Sequence, residues 1–306
     1  MKKYLSASLL FTSALLWGFA FVAQKAATAL PTFTLLFSRN VIAVLTLIPV
    51  IILFDKLSKN GRKLFSKEKI VDISKKELIA GIICGIFLFS ASALQQAGIA
   101  DTDAGKASFI TALYVVIVPF YALFFGKKSS INAWIGILIS IIGFYMLSIK
   151  DGFKITAADL LILLCAFVFA MQIMAIDLLL PGCDGIRLSV VQFATVMVLS
   201  LVASLIFETP LTFSSITDVL PEILYLGIVS SGVAYTLQIL GQKNTPPAVA
   251  SILLSLESVF GALFSAIILS ERMSAREYVG AGIVLFAVIL SQLDFPSIIK
   301  RNKTTN

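Results

Sequence analysis

Ten runs of apolar residues, each close to the length of a bilayer crossing, fill most of this 306-residue chain. They fall at 4–27, 34–54, 78–98, 105–126, 131–149, 158–180, 188–207, 222–241, 248–269 and 277–293, separated by polar, proline or glycine punctuation. A membrane helix needs about 20 apolar residues, and hydrocarbon leaves a single crossing no way but a helix to satisfy its backbone. The pattern predicts an all-α polytopic membrane protein. Residues are 58% hydrophobic and 13% charged, against about 45–50% and about 25% in soluble domains. That balance excludes a soluble domain, a disordered chain and a nucleic-acid module.

The first run follows Lys2-Lys3 and ends at Ala27-Thr28-Ala29, which has the outline of a secretory signal. It is long enough to span, and nine more runs follow, so it is read as an uncleaved first span. Positive charge sets the orientation. With the N-terminus inside, one set of connections carries 17 Lys and Arg and the opposite set carries 5. Lys and Arg concentrate on the cytoplasmic side, so both termini are expected in the cytoplasm. The longest basic segment, 55–76, is read as a cytoplasmic loop, and 297–306 as a cytoplasmic basic tail.

The chain contains an internal repeat. Residues 92–108 align with 235–251 at an offset of 143, with identities at Leu94/Leu237, Gln95/Gln238, Gly98/Gly241, Thr102/Thr245, Ala107/Ala250 and Ser108/Ser251. Trp17-Gly18 lines up with Phe169-Ala170. The fold class expected is therefore ten transmembrane helices as two inverted five-helix repeats, 1–150 and 151–296, because an odd number of spans per half turns the second half over. Inverted repeats mark many secondary transporters, with the binding site near mid-membrane at the repeat interface.

Several chemistries are absent. There is no histidine, so Ser-His-Asp or Cys-His catalysis and His-ligated metals are excluded. Cys84, Cys165 and Cys183 form no C-x-x-C pair, and neither a P-loop nor a dinucleotide fingerprint is present. The chain is expected to be no enzyme, to use no cofactor or metal, and to draw energy from gradients.

Trp17-Gly18-Phe19-Ala20-Phe21, Arg39 in the second span, Leu256-Glu257-Ser258-Val259-Phe260, Leu269-Ser270-Glu271-Arg272 and Gly280 together resemble the signatures of the EamA-type transporters of the drug/metabolite transporter superfamily. Ser258 and Ser270 stand where that pattern has proline and glycine. The resemblance implies a ten-helix plasma-membrane transporter, often an exporter of amino acids or other small metabolites.

Candidate site residues follow from polarity at depth. Glu257 lies about ten residues into its span, where an ionised carboxylate costs about 2.5–3.5 kcal/mol. It is the candidate for an amine contact and for proton coupling. Gln95 and Gln238 occupy matching places in the repeats. Trp17, Phe21, Tyr114 and Tyr235 are candidate aromatic walls. Arg39 is a candidate anion contact or ion-pair partner of Glu257. Gly81-x-x-x-Gly85 fits helix packing or dimerisation. The expected partners are a small-molecule substrate, the lipid bilayer and protons, with no nucleic acid; monomer and homodimer both remain open. The function expected is export of small organic metabolites such as amino acids by alternating access. The alternatives are a flippase or translocator for lipid-linked or nucleotide-linked substrates, and an intramembrane enzyme.

Overall fold

A computed structural model describes residues 2–57, 73–127, 130–148, 156–209, 216–270 and 274–292. The basic segment 58–72, the tail 297–306 and the motif residues Glu271 and Arg272 lie outside the described residues. Those described form helices and short connections, with no strand among them.

Ten rods run back and forth: α1 (Lys2–Ala26), α2 (Thr32–Leu57), α3 (Lys75–Ala100), α4 (Ala104–Phe124), α5 (Ile131–Ser148), α6 (Ala157–Leu179), α7 (Gly185–Phe207), α8 (Leu220–Gln242), α9 (Pro247–Ile268) and α10 (Ala275–Gln292). Eight are long and apolar enough to cross a membrane; α5 and α10 contribute the shorter apolar stretches Ile131–Gly143 and Tyr278–Leu290. Each rod reverses direction, so the start of α1 and the end of α10 lie at one face, called here the near face.

Side chains fasten the rod ends, where backbone groups lack intrahelical partners. At the near face, Ser74 and Glu77 form a reciprocal capping box on α3, and Glu77 Oε1 also accepts from the Asp184 backbone N–H at 2.9 Å. At the far face, Thr156 and Asp159 form the corresponding box on α6, and Lys106 Nζ lies 2.7 Å from Asp159. Lys25 Nζ donates to the terminal carbonyls of α3, Ile99 and Ala100. It therefore ties α1 to α3 rather than only reaching for the interface. Glu208 accepts from the first N–H groups of α2, at Phe33 and Thr34. Lys127 and Asp177 form an ion pair at the near face.

The packing follows the inverted two-fold. Three contacts map onto themselves: α2 on α7, α4 on α9, and α5 on α10. The others come in twins, α3 on α6 with α8 on α1, and α1 on α9 with α6 on α4. Glycine contacts report the same equivalence in detail. Gly98 lies against the Ala158 carbonyl and Ile162, while Gly241 lies against the Ser6 carbonyl and Leu10. The paired partners differ by a constant 152 positions. Gly81 and Gly85 both face α7, at Val191 and Thr195, so this motif serves packing within the bundle.

Two rods are broken at mid-length. The α-helical pattern of α4 is interrupted at Leu113 and that of α9 at Ser255. At each break a short hydrogen bond spans three residues, Val116 N–H to Leu113 O and Ser258 N–H to Ser255 O. Interrupted spans at matching places in two inverted repeats expose backbone near the middle of the membrane.

Candidate functional site

The two breaks open onto one central cavity with a total void of about 480 Å³, open mouth included. Tyr114 follows the α4 break directly, and Glu257 lies just past the α9 break. All eight residues singled out from the sequence line this cavity: Glu257, Gln95, Gln238, Trp17, Phe21, Tyr114, Tyr235 and Arg39.

The wall is largely made of repeat twins. Trp17 faces its counterpart Phe169, Phe21 its counterpart Ile173, and Gln95 its counterpart Gln238. Less expected twins are Ala20 with Gln172 and Ser92 with Tyr235, while Tyr114 and Glu257 enter from beside the two breaks. In most of these pairs one member is more polar than the other, so a symmetric frame encloses an asymmetric surface. The aromatic side is held in place by contact. Trp17 and Tyr235 rings stack tilted with centroids 4.4 Å apart, Phe193 backs Tyr235 edge-on at 5.7 Å, and Trp17 Nε1 donates to the Ser230 carbonyl at 3.2 Å.

The polar inventory is incomplete without a guest. Gln24 Oε1, Gln238 Oε1, Glu257 Oε1, the Tyr114 hydroxyl and Gln172 Nε2 are buried and have no hydrogen-bond partner among the described residues. Gln238 Nε2 donates to Gln172 Oε1 at 3.3 Å, and Gln95 Nε2 to Thr111 Oγ1 at 3.2 Å, so the amides are oriented but only half used. Unmade hydrogen bonds on buried groups cost about 1–3 kcal/mol each. Three of the five free atoms are acceptors, one is a donor, and one is a hydroxyl that can do either. The cavity asks chiefly for hydrogen-bond donors.

The charges sit apart. Glu257 is 4% exposed and Arg39 is 5% exposed, yet no ion pair joins them among the described residues. The expected Arg39–Glu257 pairing is replaced by neutral contacts. Arg39 Nε donates to Ser231 Oγ at 3.2 Å, and its Nη2 donates to Ser230 and Ser231 at 3.3 and 3.1 Å. Sequence reasoning missed these serines. They ride on an unusual stretch of α8, the π-helix Tyr225–Tyr235, and nothing in their local sequence announces it. Gln24 and Gln172, amides within α1 and α6, also line the cavity without having been singled out.

Ten membrane rods in inverted halves around a mid-span polar cavity define a multi-pass membrane transporter. The sequence pattern of the EamA-like transporter family matches residues 5–149 and again 156–293. The chain belongs to the EamA-like transporter family. Among curated relatives, a protein of Archaeoglobus fulgidus described as an "Uncharacterized transporter" is 33% identical over 217 residues, 70% of this chain and 68% of its own length. A second "Uncharacterized transporter", from Methanothermobacter thermautotrophicus, is 25% identical over 207 residues, 63% of this chain and 58% of its own. A solved structure described as "Crystal structure of protein" superposes with a TM-score of 0.73, covering 94% of this chain and 96% of that one at 17% identity. That likeness is one of fold.

Proposed function

We propose that this chain exports small amine-bearing metabolites, neutral amino acids first among them, through the plasma membrane by alternating access of the central cavity. The observation that carries the reading is Glu257: a carboxylate buried at mid-span, beside Gln24, Gln238 and Tyr114, whose acceptor atoms have no partner among the described residues. A substrate ammonium supplies donors and a positive charge where both are missing. The apolar faces of Phe21, Phe169, Ile173 and Leu254 accommodate a neutral side chain.

Glu257 is also the proton carrier of this reading. A carboxylate with no cationic partner, alternately facing each side, can exchange a proton for an ammonium, since the two occupy the same place. Positive charge concentrated on one set of connections supports cytoplasmic termini; the outward direction of net transport rests on the family resemblance alone.

Counterflow in proteoliposomes with a labelled panel of amino acids, wild type against Glu257→Ala, tests the proposal. Saturable exchange lost in the variant upholds it. An unchanged pH dependence of transport by Glu257→Gln would remove proton coupling through this residue while leaving the substrate assignment standing. Folded wild-type protein that exchanges no amino acid sinks the substrate assignment.

A further inference from the structure

The two halves are not in the same register throughout. Gly85 of α3 lies against the Gln192 carbonyl and Thr195 of α7, and Gly227 of α8 lies against the Arg39 carbonyl and Ile42 of α2. Both partners differ by 153, so the two glycines are structural twins at an offset of 142. Further along the same rods, Gly98 and Gly241 are twins at an offset of 143. Between these points α8 carries one residue more than α3. The extra residue falls where α8 winds as the π-helix Tyr225–Tyr235, while α3 is α-helical throughout. A π-helix is how a helix absorbs an inserted residue, and such segments often sit at functional sites.

The insertion changes what the cavity contains. At 3.6 residues per turn, one residue more or fewer rotates everything beyond it by about 100°. Gly227 is fixed against α2 and Gln238 is fixed on the cavity wall, so only the wider winding between them lets Ser230 and Ser231 reach the Arg39 guanidinium. In the other half the position of Arg39 is held by Gln192, outside the cavity lining, and α3 offers no serine pair opposite it. A cation therefore enters the cavity on one side only. Arg39 has hydroxyls alone for partners, and no hydrogen bond from its Nη1 is made among the described residues. A buried guanidinium with neutral partners lacks its countercharge, and its free edge has the geometry for a carboxylate.

We propose that the inserted residue of α8 builds an anion subsite: Arg39, held by Ser230 and Ser231 of the π-helix, receives the carboxylate or other anionic group of the transported molecule. This rests on the central cavity being the substrate site and adds a second point of recognition to the amine contact at Glu257. Two separated and opposite charges select a zwitterion over a simple amine.

Competition in the counterflow assay tests it, using labelled leucine as probe and unlabelled leucine or its decarboxylated counterpart, 3-methylbutylamine, as competitor. In wild type the amine is expected to compete about tenfold less well, the ratio that losing one charge-assisted contact sets. The double variant Ser230→Ala/Ser231→Ala leaves the backbone intact and should raise the KM for leucine while leaving competition by the amine unchanged. Deletion of Val229 removes the insertion itself and should shift preference the same way. Equal competition by leucine and amine in wild type overturns the subsite, as does a serine-pair variant that weakens both alike; amine transport would survive either result. Absence of any saturable exchange of leucine or amine by folded protein instead overturns the substrate reading, and the subsite with it.

Discussion

Tyr114 and Glu257 stand one and two residues past the breaks of α4 and α9 and meet as neighbours in one cavity. The Tyr114 hydroxyl lies beside the Glu257 carboxylate without a close hydrogen bond to any described residue. Removing an unsatisfied buried hydroxyl relieves a cost of about 1–3 kcal/mol. Tyr114→Phe should therefore melt higher than wild type in detergent while transporting several-fold more slowly, a split that parallel thermal and counterflow measurements would read directly.

Glu257 carries the same tension between stability and use. Glu257→Gln removes a buried charge but keeps the shape, so it should also fold at least as stably as wild type. Its transport should fall by about tenfold or more, on the scale of one charge-assisted contact. A variant that lost both stability and transport would mark Glu257 as a structural anchor instead.

The α1–α9 contact depends on the absence of a side chain. A Cβ on Gly18 would stand 2.3 Å from Phe260 Cβ and 2.9 Å from the Gly261 nitrogen, whereas one on Gly282 would meet nothing. Overpacking of this kind costs about 1–3 kcal/mol. Gly18→Ala should lower the melting temperature clearly and Gly282→Ala should not, because the second site is open.

Asp159 does three tasks at the far face: it completes the cap of α6, pairs with Lys106 and accepts from Thr102 Oγ1 at 3.2 Å. Lys106 does only the second, and its side chain is 35% exposed. Asp159→Ala should thus cost about 1–2 kcal/mol, and Lys106→Ala less than about 1 kcal/mol. Denaturant melts of the two variants should differ in that order; equal losses would mean the ion pair, not the cap, holds this end.

Much of this architecture was readable from the chain because its strongest determinants are lengths and repeats. Run length alone separates ten rods, and the six identities around Gln95 and Gln238 expose the halves. The candidate residues met in one cavity because polar groups at mid-span have few places to go but inward. What escaped was geometry that leaves the apolar pattern untouched. An α-helix and a π-helix both satisfy their backbone internally, so the extra residue of α8 leaves no trace in hydropathy, and a single glycine match at Gly85 and Gly227 is too weak to fix a register. The partners of Arg39 followed from that winding and stayed hidden with it. Asp159 was missed for plainer reasons: the Thr156-x-x-Asp159 cap spacing went unread, and its ion pair is with Lys106 of another rod.

The twinned wall of the cavity also says what joining the halves into one polypeptide permits. Two separate identical subunits meeting about the same axis would have to present the same side chain from both sides. Beside the two helix breaks that would mean two phenols with no acid, or two carboxylates crowded into one low-dielectric space, where both cannot ionise together. Likewise an arginine from each side would cancel the polarity of the chamber. A continuous chain can assign an acid to one half, a phenol to the other and a guanidinium to one edge only, which gives the chamber a direction that a symmetric dimer could not have.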